Sequence, residues 1–175
     1  MVAHLLLLRW WGKSAMLFKS LKKEEKLNSF ATLAQRKTLL VDDDPFIRDA
    51  MKLAFKQKGF SLHTAKTAEE GLKAMHEANF DIIISDFKLP GINGLTFLKQ
   101  AVITQPEAVK LLISANGNDE IISQAYTIGI HDFLQKPFTQ ATLWATLIMH
   151  IEKRGGQNDR IFEGAILLAK MSTGS

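Results

Sequence analysis

The chain has 175 residues, 46% of them hydrophobic and 23% charged, which suits one domain with a real core and some appended sequence. It contains no cysteine, so disulfides, thiolate chemistry and Cys-ligated zinc or iron–sulfur sites are excluded. The net charge of +4 is unevenly placed: residues 1–37 hold eight Lys or Arg against Glu24 and Glu25, while residues 38–153 hold 11 basic and 14 acidic side chains. The basic excess therefore belongs to an N-terminal extension and gives no ground for treating the folded part as a nucleic-acid binder.

The extension, residues 1–37, opens "MVAHLLLLRWWGKSAMLFKSLKKEEKL". Its apolar run is too short to span a bilayer, and neither a basic n-region nor a small-residue cleavage site marks a signal peptide. Trp10, Trp11, Leu17, Phe18 and Leu21 among lysines suit a segment lying on a membrane surface, and a disordered leader is the competing expectation. Leu27, Phe30, Ala31 and Ala34 recur at helical spacing and predict a helix leading into the domain.

From residue 38 the pattern changes. Apolar runs at 38–41, 60–65, 80–85, 109–114 and 132–135 read as strands, separated by helical segments at 45–58, 67–78, 94–104, 118–128 and 139–153. Asp44 before Pro45 and Thr67 before Glu69 and Glu70 are helix starts, and Gly59 is a stop. Gly91, Gly94 and Gly117 are expected to supply positive φ in loops. Strict alternation predicts an α/β fold, a doubly wound five-stranded parallel sheet with helices on both faces. After 153 the Gly-Gly of "RGGQ" breaks the last helix, leaving 154–175 as a tail with helical spacing at Phe162, Ala165, Ile166 and Ala169.

In such a sheet, chemistry gathers at the carboxyl ends of the strands. The first strand ends in Asp42, Asp43 and Asp44, the third in Asp86, the fourth in Ser114 and the fifth in Lys136. Crowded carboxylates repel by roughly 4 kcal/mol at about 4 Å in an effective dielectric near 20, so a cation or a proton is expected among them. Hard oxygen ligands of this kind suit Mg²⁺.

This ordered set resembles the receiver domain of bacterial two-component response regulators, of the flavodoxin-like, chemotaxis-regulator type, over residues 38–153. By resemblance Asp42 and Asp43 are the acidic pair of the first loop, Asp86 is the phosphoacceptor, Ser114 and Phe133 are the switch residues, and Lys136 is the lysine of the site. "LPGINGL" resembles the family's proline–glycine loop; Ser at 114 and Phe at 133 replace the more frequent Thr and Tyr. The resemblance implies a cytoplasmic, stand-alone phosphoacceptor rather than an enzyme. Asp86 would attack a phosphohistidine on a sensor histidine kinase or phosphotransfer protein, and the signal would pass to a downstream protein without direct nucleic-acid binding. Mg²⁺ would be held by Asp43, Asp86 and the backbone carbonyl of Lys88, with Asp42 acting through water, and Lys136 would pair with a phosphoryl oxygen. Since no site residue precedes Asp42, deleting residues 1–35 is expected to leave phosphoryl uptake unchanged.

Two other classes stay open at this point. A haloacid-dehalogenase-like phosphatase would use Asp42 as its nucleophile, although Phe46 stands where Thr or Val is expected and no late acidic pair is present. A phosphorylation-independent interaction module would leave the acids without a task. The histidines have no metal-ligand spacing and read as surface or packing residues.

Overall fold

The computed structural model describes residues 23–115, 117 and 119–154. The membrane-surface segment expected in the first part of the extension, and the tail from 155 onward, lie outside the described residues. The elements run α1 (Lys23–Ala34), β1 (Lys37–Val41), α2 (Pro45–Gln57), β2 (Ser61–Ala65), α3 (Ala68–Glu77), β3 (Ile82–Asp86), α4 (Gly94–Thr104), β4 (Val109–Ser114), α5 (Asp119–Thr127), β5 (Asp132–Gln135) and α6 (Gln140–Arg154).

The five strands form one sheet in the order β2-β1-β3-β4-β5, every pair parallel. All residues of β3 and β4 are buried, as continuous apolar runs covered on both faces require. Successive side chains alternate between two cores. Leu39, Val41, Ile83, Leu112 and Phe133 meet residues of α3, α4 and α5, whereas Leu40, Ile84, Leu111, Ile113 and Leu134 meet residues of α1, α2 and α6. The second core centres on an edge-to-face aromatic group in which the Trp144 ring lies 4.9 Å from Phe55 and 5.3 Å from Phe60.

Local chemistry sets the helix ends. Asp44 caps α2 by accepting the Phe46 N–H at 2.8 Å, with Pro45 in the first turn. Thr67 caps α3 by accepting the Glu70 N–H, and Glu70 reaches back to the Lys66 N–H at 2.9 Å. Gly59, at φ 73°, closes α2 in the left-handed region. The buried Gln105 amide joins α3, β3 and α4: its oxygen accepts the Phe80 N–H, and its nitrogen donates to the carbonyls of Met75 and Ala78.

Two details depart from the sequence-based expectations. In α1 the buried positions are Ser29 and Leu33, while Leu27, Ala31 and Ala34 are exposed. The helix is oriented by Leu33 entering the second core, by the Ser29 hydroxyl bonding Glu152 of α6, and by stacking of Phe30 on Phe60. Of the three glycines expected at positive φ, only Gly91 has it, at 74°. Gly94 is needed for a different reason: a Cβ there would sit 1.8 Å from the Asp86 carbonyl oxygen. At Gly117 a Cβ would press into the Phe133 ring at 2.6 Å.

Candidate functional site

The strand order reverses between β1 and β3, so the loops leaving these strands open a crevice at the carboxyl edge, the place where doubly wound sheets bind ligands. Asp42 follows β1, and Asp86 ends β3 beside it. Both are buried, with 1% and 6% of their surface exposed. Lys136, following β5, reaches across β4 to both: its Nζ donates to Asp86 Oδ1 at 2.6 Å and to Asp42 Oδ2 at 3.0 Å. Its backbone N–H is itself fixed on the Ser114 carbonyl at 2.8 Å.

The remaining carboxylate oxygens bond to the backbone. Asp42 Oδ1 accepts the Asp44 N–H at 2.9 Å and Asp86 Oδ2 accepts the Lys88 N–H at 2.6 Å. Burial raises the Asp42 pKa above the ordinary carboxylate value, and the Asp86 charge adds to that rise, while the Asp44 N–H and Lys136 oppose it. Burial also pulls the Lys136 pKa down, but its bonds to Asp86 and Asp42 outweigh that and leave it raised. The lysine is thus a fixed ammonium between two acids.

Asp43 is exposed beside this pair, and Lys88 lies in the loop after Asp86 with an exposed side chain. Ser114 is buried at the end of β4, one residue beyond Ile113, the register partner of Asp86. Phe133 is already packed into the first core with Ile122, Ala125 and Ile130. The structure therefore brings Asp42, Asp86 and Lys136 into direct contact, with Asp43 and Lys88 close to them along the chain and the Ser114 carbonyl bonded to the Lys136 N–H. Among the described residues no three His, Asp or Glu side chains are gathered as a finished metal cage. Even so, Asp42 and Asp86 converge on one cation, the Lys136 ammonium, and a donor set of hard carboxylate oxygens fits Mg²⁺, which keeps much of its water and takes only one or two protein carboxylates.

One neighbour is absent from the sequence-based set. Arg48 of α2 donates from Nη1 to the Asp42 carbonyl at 2.7 Å. An arginine at the end of a helix's first turn carries no signal by itself, and only the folded geometry shows what it holds.

A doubly wound parallel sheet with paired acids and a bridging lysine at its switch point defines an α/β domain whose ligand site lies at the carboxyl ends of β1 and β3. Residues 38–148 match the response regulator receiver domain, and the chain belongs to that family. Family members act as phosphoacceptors in signalling, and that is the role of this domain. Among curated relatives, the chain is 36% identical over 107 residues to the probable chemotaxis protein CheY of Rhizobium etli, covering 59% of this chain and 82% of that protein. It is 33% identical over 116 residues to the transcriptional activator protein PfeR of Pseudomonas aeruginosa, covering 66% of this chain but 38% of PfeR. The chain spans a quarter to two-fifths of the length of the first such transcriptional regulators. Among solved structures, the chemotaxis protein CheY4 of Vibrio cholerae superposes with a TM-score of 0.62 at 30% identity, covering 65% of this chain and 97% of that one. A CheY-like receiver from Methanospirillum hungatei, at 24% identity and TM-score 0.67, shares the fold.

Membership in this family disfavours the two alternatives. No helix among the described residues is long and apolar enough to cross a membrane.

Proposed function

We propose that Asp86 accepts a phosphoryl group from a phosphohistidine on a sensor histidine kinase or phosphotransfer protein, and that the phosphorylated domain signals to a downstream protein through Ser114 and Phe133. The observation that carries this is the Lys136 ammonium held between Asp86 and Asp42 at the ends of β3 and β1. A carboxylate oxygen of Asp86 attacks phosphorus, the phosphorus–nitrogen bond of the donor breaks, and its electron pair returns to the imidazole, which takes up a proton. Lys136, already bonded to Asp86, moves its donor to a phosphoryl oxygen as charge builds there. Asp42, Asp43 and Asp86, with the backbone at Lys88, would hold Mg²⁺, which supplies neutralisation of phosphoryl oxygen charge. Asp42 holds Lys136 in place, and the Lys88 N–H orients the second Asp86 oxygen. Ser114, at the β4 end, bonds the new phosphoryl group in this reading, with the packing of Phe133 responding behind it. The mildly acidic charge of residues 38–153 favours a protein rather than a nucleic acid as the output partner. The receiver unit is taken as 38–153, at work in the cytoplasm.

The test is acetyl phosphate with Mg²⁺. Wild type should take one label and Asp86→Asn none, because an amide is a poor nucleophile. Asp42→Asn should label more slowly. An acyl phosphate mapped to Asp42, or rapid multiple turnover on phosphate esters, would overturn the assignment.

A further inference from the structure

The acidic edge holds a second cation that phosphoryl transfer, as drawn above, leaves without a task. Arg48 is partly buried on α2, and its guanidinium bonds the Asp42 carbonyl at 2.7 Å, the short end of charge-assisted geometry. Its charge also acts on Glu70 of α3, whose pKa is lowered first by the Lys66 N–H, then by the Lys66 ammonium and by Arg48. The contact the guanidinium makes is with the peptide that leaves β1.

That peptide joins Asp42 to Asp43. The Asp42 side chain is fixed from two directions without help, by the Asp44 N–H and by Lys136. The Asp43 carboxylate is exposed, and no hydrogen bond to it from a described residue accompanies those of its neighbours. What determines where it stands is the plane of the peptide before it, and Arg48 grips the oxygen of that plane. We infer that Arg48 is a positioning residue for cation binding: by holding the Asp42 carbonyl it sets the Asp42–Asp43 peptide and so aims the Asp43 carboxylate at the site. This rests on Asp43 being a Mg²⁺ ligand, as proposed above.

The sign of the effect separates positioning from plain electrostatics. Arg48 brings a positive charge close to the acids, and on charge alone its removal would tighten divalent-cation binding. If it acts by orienting Asp43, its removal weakens binding despite the charge gained.

The experiment is calorimetric titration of Mg²⁺ into wild type, Arg48→Met, Arg48→Lys and Asp43→Asn. Methionine keeps the apolar stem and loses the donors, and its dissociation constant for Mg²⁺ should rise about tenfold, as for loss of a group that orients a metal ligand. Lysine, which still carries a donor, should restore part of the loss. In acetyl phosphate labelling, Arg48→Met should need correspondingly more Mg²⁺ for half-maximal rate and reach the wild-type rate at saturation. Unchanged or tighter Mg²⁺ binding in Arg48→Met, alongside weakened binding in Asp43→Asn, overturns the role of Arg48 and leaves the metal site standing. Full Mg²⁺ binding in Asp43→Asn overturns the metal site and this inference with it. If Arg48→Met does not fold, Arg48→Leu, which also lacks a donor, provides the same comparison.

Discussion

Asp42 has both oxygens hydrogen-bonded, one by a lysine, and still its pKa is raised, because burial at 1% exposure costs a carboxylate more than these partners return. The folded chain therefore holds the Asp42 proton more tightly than the unfolded chain. Stability from this group falls as pH rises from the ordinary value of 3.8 through the raised folded value, and is level above it. A buried acid that costs stability fits the metal-site role proposed for Asp42. Without divalent cation, Asp42→Asn should melt above wild type at neutral pH, and the gap should close as pH is lowered through the carboxylate range. Thermal melts across that range check this; a mutant that melts lower at neutral pH would mean that the pairing with Lys136 outweighs desolvation. Gly94 shows the same subordination of one residue to the site, since any side chain there would displace the Asp86 carbonyl.

At the scale of elements, α1 belongs to the second core rather than to a detachable leader. Leu33 is 1% exposed within that core, Arg36 just beyond the helix pairs with Asp81 at 3.2 Å, and Lys58 lies 5.1 Å over the Phe30 ring. Leu33→Ala should cost about 2–4 kcal/mol, read by urea unfolding, as a cavity is left under the helix. A cost below about 0.5 kcal/mol, the range of ordinary surface substitutions, would show α1 to be dispensable. Removing residues 1–35 then spares every acid of the site but strips a layer from the core, so uptake should survive only at temperatures where the shortened domain stays folded. The sequence disclosed the helix and, in Phe30, one residue that packs on the second core. Leu27, Ala31 and Ala34 at the same helical spacing are exposed, and the partner helix selects Ser29 and Leu33, which spacing alone cannot foresee. By contrast the bounds of β4, α4 and β5 were legible to the residue, β4 from its near-continuous apolar run and α4 from Asn93 and Gly94 at its start. The paired acids and Lys136 were legible because strand ends in an α/β sheet converge. Arg48 and the close approach of Gly94 were not, since each depends on how a helix or loop is set against β1 or β3.

For the whole molecule, burial is graded across the sheet. β3 and β4 are wholly buried, β1 nearly so, and the edge strand β2 alternates between exposed and covered positions. Amides of β1, β3 and β4 should therefore exchange only through global unfolding, and those at the edges through local opening. At the β5 edge one carboxylate joins three elements. Asp132 Oδ1 accepts the Phe133 N–H at 2.8 Å and the Tyr126 hydroxyl of α5 at 3.2 Å, and its Oδ2 lies 3.0 Å from His150 Nε2 of α6. Burial first, then the Asp132 charge, raises the Tyr126 pKa, so the phenol keeps its proton and remains a donor. The clamp stands next to Phe133, on the elements that the proposed switch through Ser114 and Phe133 would use. Asp132→Ala should lower stability by roughly 1–3 kcal/mol through the loss of these bonds. It should also speed hydrogen exchange around Tyr126 in α5 and His150 in α6, while amides of β1 and β3 stay at the global limit. If exchange instead rises uniformly over the sheet beyond what the change in global stability requires, Asp132 supports the domain as a whole, and α5, β5 and α6 are not joined by a local clamp.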